Sequence, residues 1–186
     1  NVNSKTGDDF KNYIAQKMDV NLFLKTYAVN VTVGMWDDYW SNSNNYYFYF
    51  DGAGKFYFIP YDYDNTLGTS LLMADSGIQD PLNWGKNADN PLVAKLLTIP
   101  EYKAQYIKYL NDLMEKKYDL FYVDYAQQRI QNWQNMIASY VSNDTGEDME
   151  IKDVPANWGN CGFYKLRGNS TADNFFIRKA SSIPKN

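Results

Sequence analysis

The chain contains no histidine. That removes the side chain most often used as a general base near neutral pH, and with it any Ser-His or Cys-His nucleophile. It also removes the commonest nitrogen ligand of zinc. The single cysteine, Cys161, cannot form a disulfide within the chain. Its one basic neighbour, Lys165, is no reason to read it as a reactive thiol rather than an incidental one. There is no run of basic residues and the net charge is −4, which argues against nucleic acid or an anionic membrane as partner. No apolar run approaches the roughly 20 residues needed to span a bilayer. No signal peptide is visible and the chain starts Asn-Val-Asn-Ser, so it reads as a mature or excised piece. Chemistry is left to carboxylates, amides, lysine, arginine and tyrosine.

What is abundant is aromatic. There are 17 Tyr, 10 Phe and 5 Trp in 186 residues, a length that fits one domain or a lobe of something larger. Many of these rings are core residues with a wet edge. Asp8 and Asp9 are placed to cap a helix from about Phe10 to Lys17. Leu22, Phe23, Tyr27 and Val31 have the spacing of a mostly buried helix over 21–33, with Gly34 as its stop. Asn90-Pro91 opens a short helix over 92–97. Pro100 opens a longer one, to Lys117, and a third covers 123–141 with Ile130, Trp133, Ile137 and Tyr140 on its core face. A short helical piece is expected near 173–180. The connection 69–90 is long enough to suggest function or mobility. Sequons at Asn30, Asn143 and Asn169 carry little weight, since Asn30 falls inside a helix.

The chain is organised around residues 36–68, WDDYWSNSNNYYFYFDGAGKFYFIPYDYDNTLG. Asp37 and Asp38 follow the buried helix. Tyr46 to Phe50 alternates sides as a strand would, Asp51-Gly52-Ala53-Gly54 is a turn, and Lys55 to Pro60 returns. Both faces of this hairpin are apolar, which predicts cover on both sides. The second strand delivers Asp62 and Asp64, which share a side if the chain stays extended. A hairpin brings its open ends together, so the acids at both ends should converge. Two carboxylates with amide oxygens from Asn44, Asn45 and Asn65 are hard ligands, suited to Mg²⁺ or Mn²⁺, with Ca²⁺ as a third candidate. The blander alternative is a surface turn with solvated acids.

A buried helix, an Asp-bearing loop, an Asn, a short hairpin and a further Asp follow one another in the order of a protein-kinase catalytic core. The corresponding pieces are Asp37, Asn45 and Asp62, although the HRD and DFG signatures are absent. Gly-Met-Trp-Asp-Asp-Tyr, then Asn45-Tyr46-Tyr47-Phe48-Tyr49, then Phe58 to Gly68 as FIPYDYDNTLG resemble the CotH family, the atypical kinases of the spore-coat protein H type. Asn90-Pro91-Leu92 and Pro100-Glu101-Tyr102 also look like landmarks of that family. The resemblance covers most of residues 10–140. Tyr61 stands where the family often has Trp.

The resemblance implies a mainly helical α+β domain over 1–186, an atypical kinase-like C-terminal lobe with a short aromatic hairpin between the Asp-bearing loops. It implies a secreted, spore-coat or cell-surface kinase that moves the γ-phosphate of ATP to Ser or Thr of a protein substrate or coat protein. By that resemblance Asp37 is the catalytic-loop acid, with adjacent Asp38 as a rival. Asn45 is the loop amide toward cofactor and metal, and Asp62 is the metal-binding acid, helped by Asp64. No glycine-rich loop and no Lys-bearing sheet precede the first acids, so the chain is expected to lack the N-terminal lobe and to be inactive alone. The alternative is a non-catalytic extracellular module, structural or binding, that retains a divalent-metal site. Trp36, Trp40, Trp84, Trp133 and Trp158 are candidates for a sugar-stacking platform; Trp133, at helical spacing, is expected in the core instead, and Trp40 and Trp84 fall in loops where exposure and burial are equally open. Arg167 and Arg178 are read as surface or structural pairs, and Asp144, Glu147 and Asp148 as a solvated acidic turn.

Overall fold

The computed structural model describes residues 2–68, 79–142 and 175–185. These form six α-helices and one two-stranded antiparallel sheet, a mainly helical α+β arrangement. Helix α1 spans Gly7–Lys17 and α2 spans Val20–Val33. Asp8 and Asp9 do not cap α1. Thr6 holds the cap position without a side-chain bond, and the two acids lie in the first turn, where their charge complements the helix dipole. The cap of α2 is Asp19, whose carboxylate accepts the Leu22 N–H at 3.0 Å. Gly34 ends α2 at φ 69°, a left-handed conformation that a Cβ would strain.

The sheet pairs β1, Tyr46–Phe50, with β2, Phe56–Pro60, in the register Phe48 opposite Phe58. Asp51 ties its turn by accepting the Ala53 and Lys55 N–H groups, which hold its carboxyl below the usual carboxylate range. Among the described residues the expected cover on both faces does not occur. Phe58 packs on the core and Phe48 on Tyr39, while Tyr47, Tyr49, Phe50 and Ile59 are exposed. The described sheet is a two-stranded hairpin, and among the described residues the core lies against one of its faces.

Helix α3, Leu92–Leu96, and α4, Pro100–Met114, follow. Lys95 of α3 donates to the carbonyls of Val2, Asn3 and Lys5, pinning the first turn of the chain. Helix α4 stops at Met114, three residues short of expectation, and a single 3-10 turn continues to Tyr118. The core gathers Phe10 and Ile14 of α1, Leu24, Tyr27 and Val31 of α2, Leu96 of α3, and Tyr106 and Leu110 of α4. Each fully buried side chain of this kind contributes about 1.5–3 kcal/mol.

Helix α5, Val123–Ser142, contacts α6, Phe175–Ser182. Its expected core face is wrong at three positions: Trp133 is 56 % exposed, Ile137 44 % and Tyr140 76 %. The periodicity marks an amphipathic helix, but among the described residues no element packs on that stripe. Cys161, Trp158, Arg167, the sequons at Asn143 and Asn169 and the acidic turn at 144–148 lie outside the described residues, as does 69–78 of the long connection. The sequon asparagine Asn30 is buried inside α2. No described helix is long and apolar enough to cross a membrane.

Candidate active site

Helix α2 supplies the base of the site. Gly34 turns the chain out of the helix, and residues 36–45 then fold back over its end. Asp38 organises this loop. Its Oδ1 accepts the backbone N–H groups of Trp40 at 3.0 Å and Ser41 at 2.9 Å. Its main-chain carbonyl accepts from Asn42 and Asn44. The side chain has no exposed surface, and burial pushes its carboxyl up to about 6 against the pull of those hydrogen bonds. Asp38 thus holds the loop from inside.

Asp37 has the opposite environment. It is half-buried, and its two carboxylate oxygens meet side-chain amides. Asn42 donates to Oδ1 at 2.6 Å and Asn44 at 3.5 Å, while Asn45 donates to Oδ2 and to the Asp37 carbonyl, both at 3.0 Å. With its nitrogen committed in this way, Asn45 turns its amide oxygen away from Asp37. Asn45 sits at φ 52°, a conformation asparagine tolerates.

The hairpin then closes the site. The Asn45 carbonyl accepts the Tyr61 N–H at 3.0 Å, one step beyond the last strand pair. Asp62 follows immediately, at φ 61° and ψ 69°. Because Asp62 is left-handed and Tyr63–Asn65 is a 3-10 turn, the extended geometry that would put Asp62 and Asp64 on one side does not hold. Both acids are exposed. The turn hangs from α2: the Tyr63 hydroxyl donates to Asn30 Oδ1 at 2.7 Å, and the Leu67 N–H donates to the Val33 carbonyl at 2.7 Å. Partial burial and the nearby Asp38 push the Tyr63 hydroxyl up to about 12. Asn45 therefore bridges the two acid pairs, touching Asp37 through its amide and Tyr61 through its carbonyl. Asn65 turns its own amide onto Asp64 at 3.0 Å.

Sequence reasoning missed the segment that holds the loop from above. The Trp84 indole faces Asp38 Oδ2 at 3.4 Å, Asn87 donates to the Trp40 carbonyl, and Asn90 donates to the Tyr39 carbonyl at 3.0 Å. The density of Asn in 83–90 was the one signal, since amides that bond backbone are what such a clamp needs. Trp40, a candidate for exposure, is 1 % exposed, wedged 4.8 Å from the Tyr27 ring and 5.3 Å from Phe58. Gly85 lies so close to Tyr27 that a Cβ would come within 2.6 Å of its hydroxyl.

The donor set is oxygen only and partly exposed. Among the described residues no three acidic, thiol or imidazole side chains converge as a ready-made metal cage. Asp62 and Asp64 are exposed carboxylates and Asn45 a buried amide, oxygen donors of the chemical type that suits a hard cation. A cavity of about 600 Å³ between α2 and α4, lined by Lys25, Val29, Tyr109 and Leu113, includes none of these acids. No curated protein and no solved structure matches the chain. The family model described as CotH kinase protein matches residues 1–170, and the chain belongs to that family.

Proposed function

We propose that the chain carries the acid-bearing half of a metal-dependent phosphotransferase, in which the γ-phosphate of ATP passes to a Ser or Thr hydroxyl of a protein. The order of elements is that of a kinase C-terminal lobe. The observation that carries the reading is a chain of hydrogen bonds: Asn45 donates to the Asp37 carboxylate and accepts from the backbone of Tyr61, the residue before Asp62. Asp37 is the group placed to accept the hydroxyl proton, with its orientation held by three amides. The hydroxyl oxygen forms the new bond to phosphorus, the bond to the bridging oxygen breaks, and ADP leaves with that electron pair. Asp62 and Asn45, helped by Asp64, would hold Mg²⁺ or Mn²⁺, which neutralises charge on the phosphates when bound. Asp38 is assigned to the loop and not to the proton. Membership of a spore-coat-type family also supports an extracellular or coat location.

The outward aromatic face of the hairpin, with Tyr47 and Tyr61 stacked at 5.0 Å, favours a second reading as a binding module. Phosphate transfer from labelled ATP with Mg²⁺ to the chain itself and to a generic protein substrate separates the two. Asp37→Ala is expected to abolish incorporation while Mg²⁺-dependent ATP binding persists. Absence of both Mg²⁺-dependent ATP binding and transfer in the full-length parent protein overturns the enzyme reading.

A further inference from the structure

Lys179 lies on α6, well over a hundred residues from the acid loop in sequence, yet its side chain is fully buried. Its Nζ sits 4.9 Å from the Trp84 ring and 5.8 Å from that of Phe175. The indole N–H of the same Trp84 points at Asp38 Oδ2. A cation on the face of an indole is attracted by the ring quadrupole and draws electron density from its N–H edge. An N–H polarised in this way is a better donor to a carboxylate. Lys179 is buried over the face of the ring and Asp38 at its N–H edge, and burial pushes the Lys179 ammonium down to about 7 and the Asp38 carboxyl up to about 6, so both are charged between those values.

We propose that Lys179, Trp84 and Asp38 form an indole-bridged buried ion pair through which helix α6 holds the carboxylate loop in register. Lys179 and Trp84 are then positioning residues. They act through Asp38, whose two backbone bonds shape the loop that presents Asp37. The consequence for chemistry rests on the phosphotransferase reading; the ion pair itself does not.

The test reads the indole N–H signals of the full chain by NMR, with Trp84→Phe identifying the Trp84 signal by its loss. Lys179→Met removes the cation and is expected to move that signal upfield by several line widths. Asp38→Asn removes the anionic acceptor and moves it in the same direction. The double variant moves it by less than the sum. A Trp84 signal unmoved by Lys179→Met overturns the proposal. If Lys179→Met does not fold, Lys179→Gln drops the charge while keeping a polar tip and gives the same reading. Asp38→Asn must in turn shift the Lys179 side-chain signals, and unchanged signals overturn the bridge. In a transfer assay Lys179→Met is expected to lower kcat about tenfold, roughly 1.4 kcal/mol, with KM for Mg-ATP unchanged. A moved signal with unchanged kcat refutes the positioning role, whereas absent transfer in wild type bears on the enzyme reading alone.

Discussion

The two acid pairs of this site are built on opposite plans. Asp37 and Asp38 are sequence neighbours, held by bonds from the loop itself and from residues 84–90. Asp62 and Asp64 are exposed on a turn anchored to α2 by Tyr63 and Leu67. Within the first pair the contrast repeats, since Asp38 is buried and Asp37 is half-open. Asp38 accepts from backbone N–H groups and so organises the loop, whereas the half-exposed Asp37 is held by side-chain amides. Residue type alone does not separate these roles; the partners do.

The comparison breaks first on activity. Asp62→Ala is expected to lower Mg²⁺-dependent phosphate transfer about a thousandfold, close to 4 kcal/mol of barrier, with thermal melting nearly unmoved because the side chain touches little. A large fall in melting temperature would make Asp62 structural and erase the contrast.

Asp38 tests it through pH. Its folded value near 6 lies above the ordinary 3.8. Between those values the folded chain keeps a proton that the unfolded chain has released. Measured against Asp38→Asn by denaturant titration, the wild type should therefore be at its best below about pH 4 and lose about 3 kcal/mol by the time pH has risen well past 6. A flat difference curve would mean that Asp38 is not buried as a charge.

Smaller effects sharpen the picture. Gly85→Ala drives a Cβ into the Tyr27 hydroxyl and should cost about 2 kcal/mol by overpacking, read from the shift in urea midpoint. Tyr63→Phe removes only the bond to Asn30 and should cost about 1 kcal/mol, with a rise in hydrogen exchange at the Thr66–Leu67 turn. If Tyr63→Phe costs nothing, the acid turn is not hung from α2.

Much of the frame was legible because it is locally encoded. Period-two aromatics around Asp51-Gly52-Ala53-Gly54 specify the hairpin, and the apolar spacing with Gly34 as stop places α2 to within a residue, although its Asp19 cap was not read. The acid loop was visible as a place but not as a division of labour. Asp38, unlike Asp37, meets an indole 46 residues away, which itself lies against Lys179 of α6, and no spacing rule connects 38, 84 and 179. The Asp62 turn was misjudged for a different reason. A single left-handed residue cancels the alternation that strand geometry would have continued. The Trp133 stripe shows the limit of periodicity: it identifies the apolar side of a helix without showing what covers it.

Asp62 lies between two tethered tyrosines, Tyr61 bonded to Asn45 and Tyr63 to Asn30, and both tethers lead back toward the end of the same helix. The backbone of the acid turn is therefore pinned on both sides of Asp62 while its carboxylate stays in solvent, so a substitution at Asp62 can change what the turn meets without changing its path.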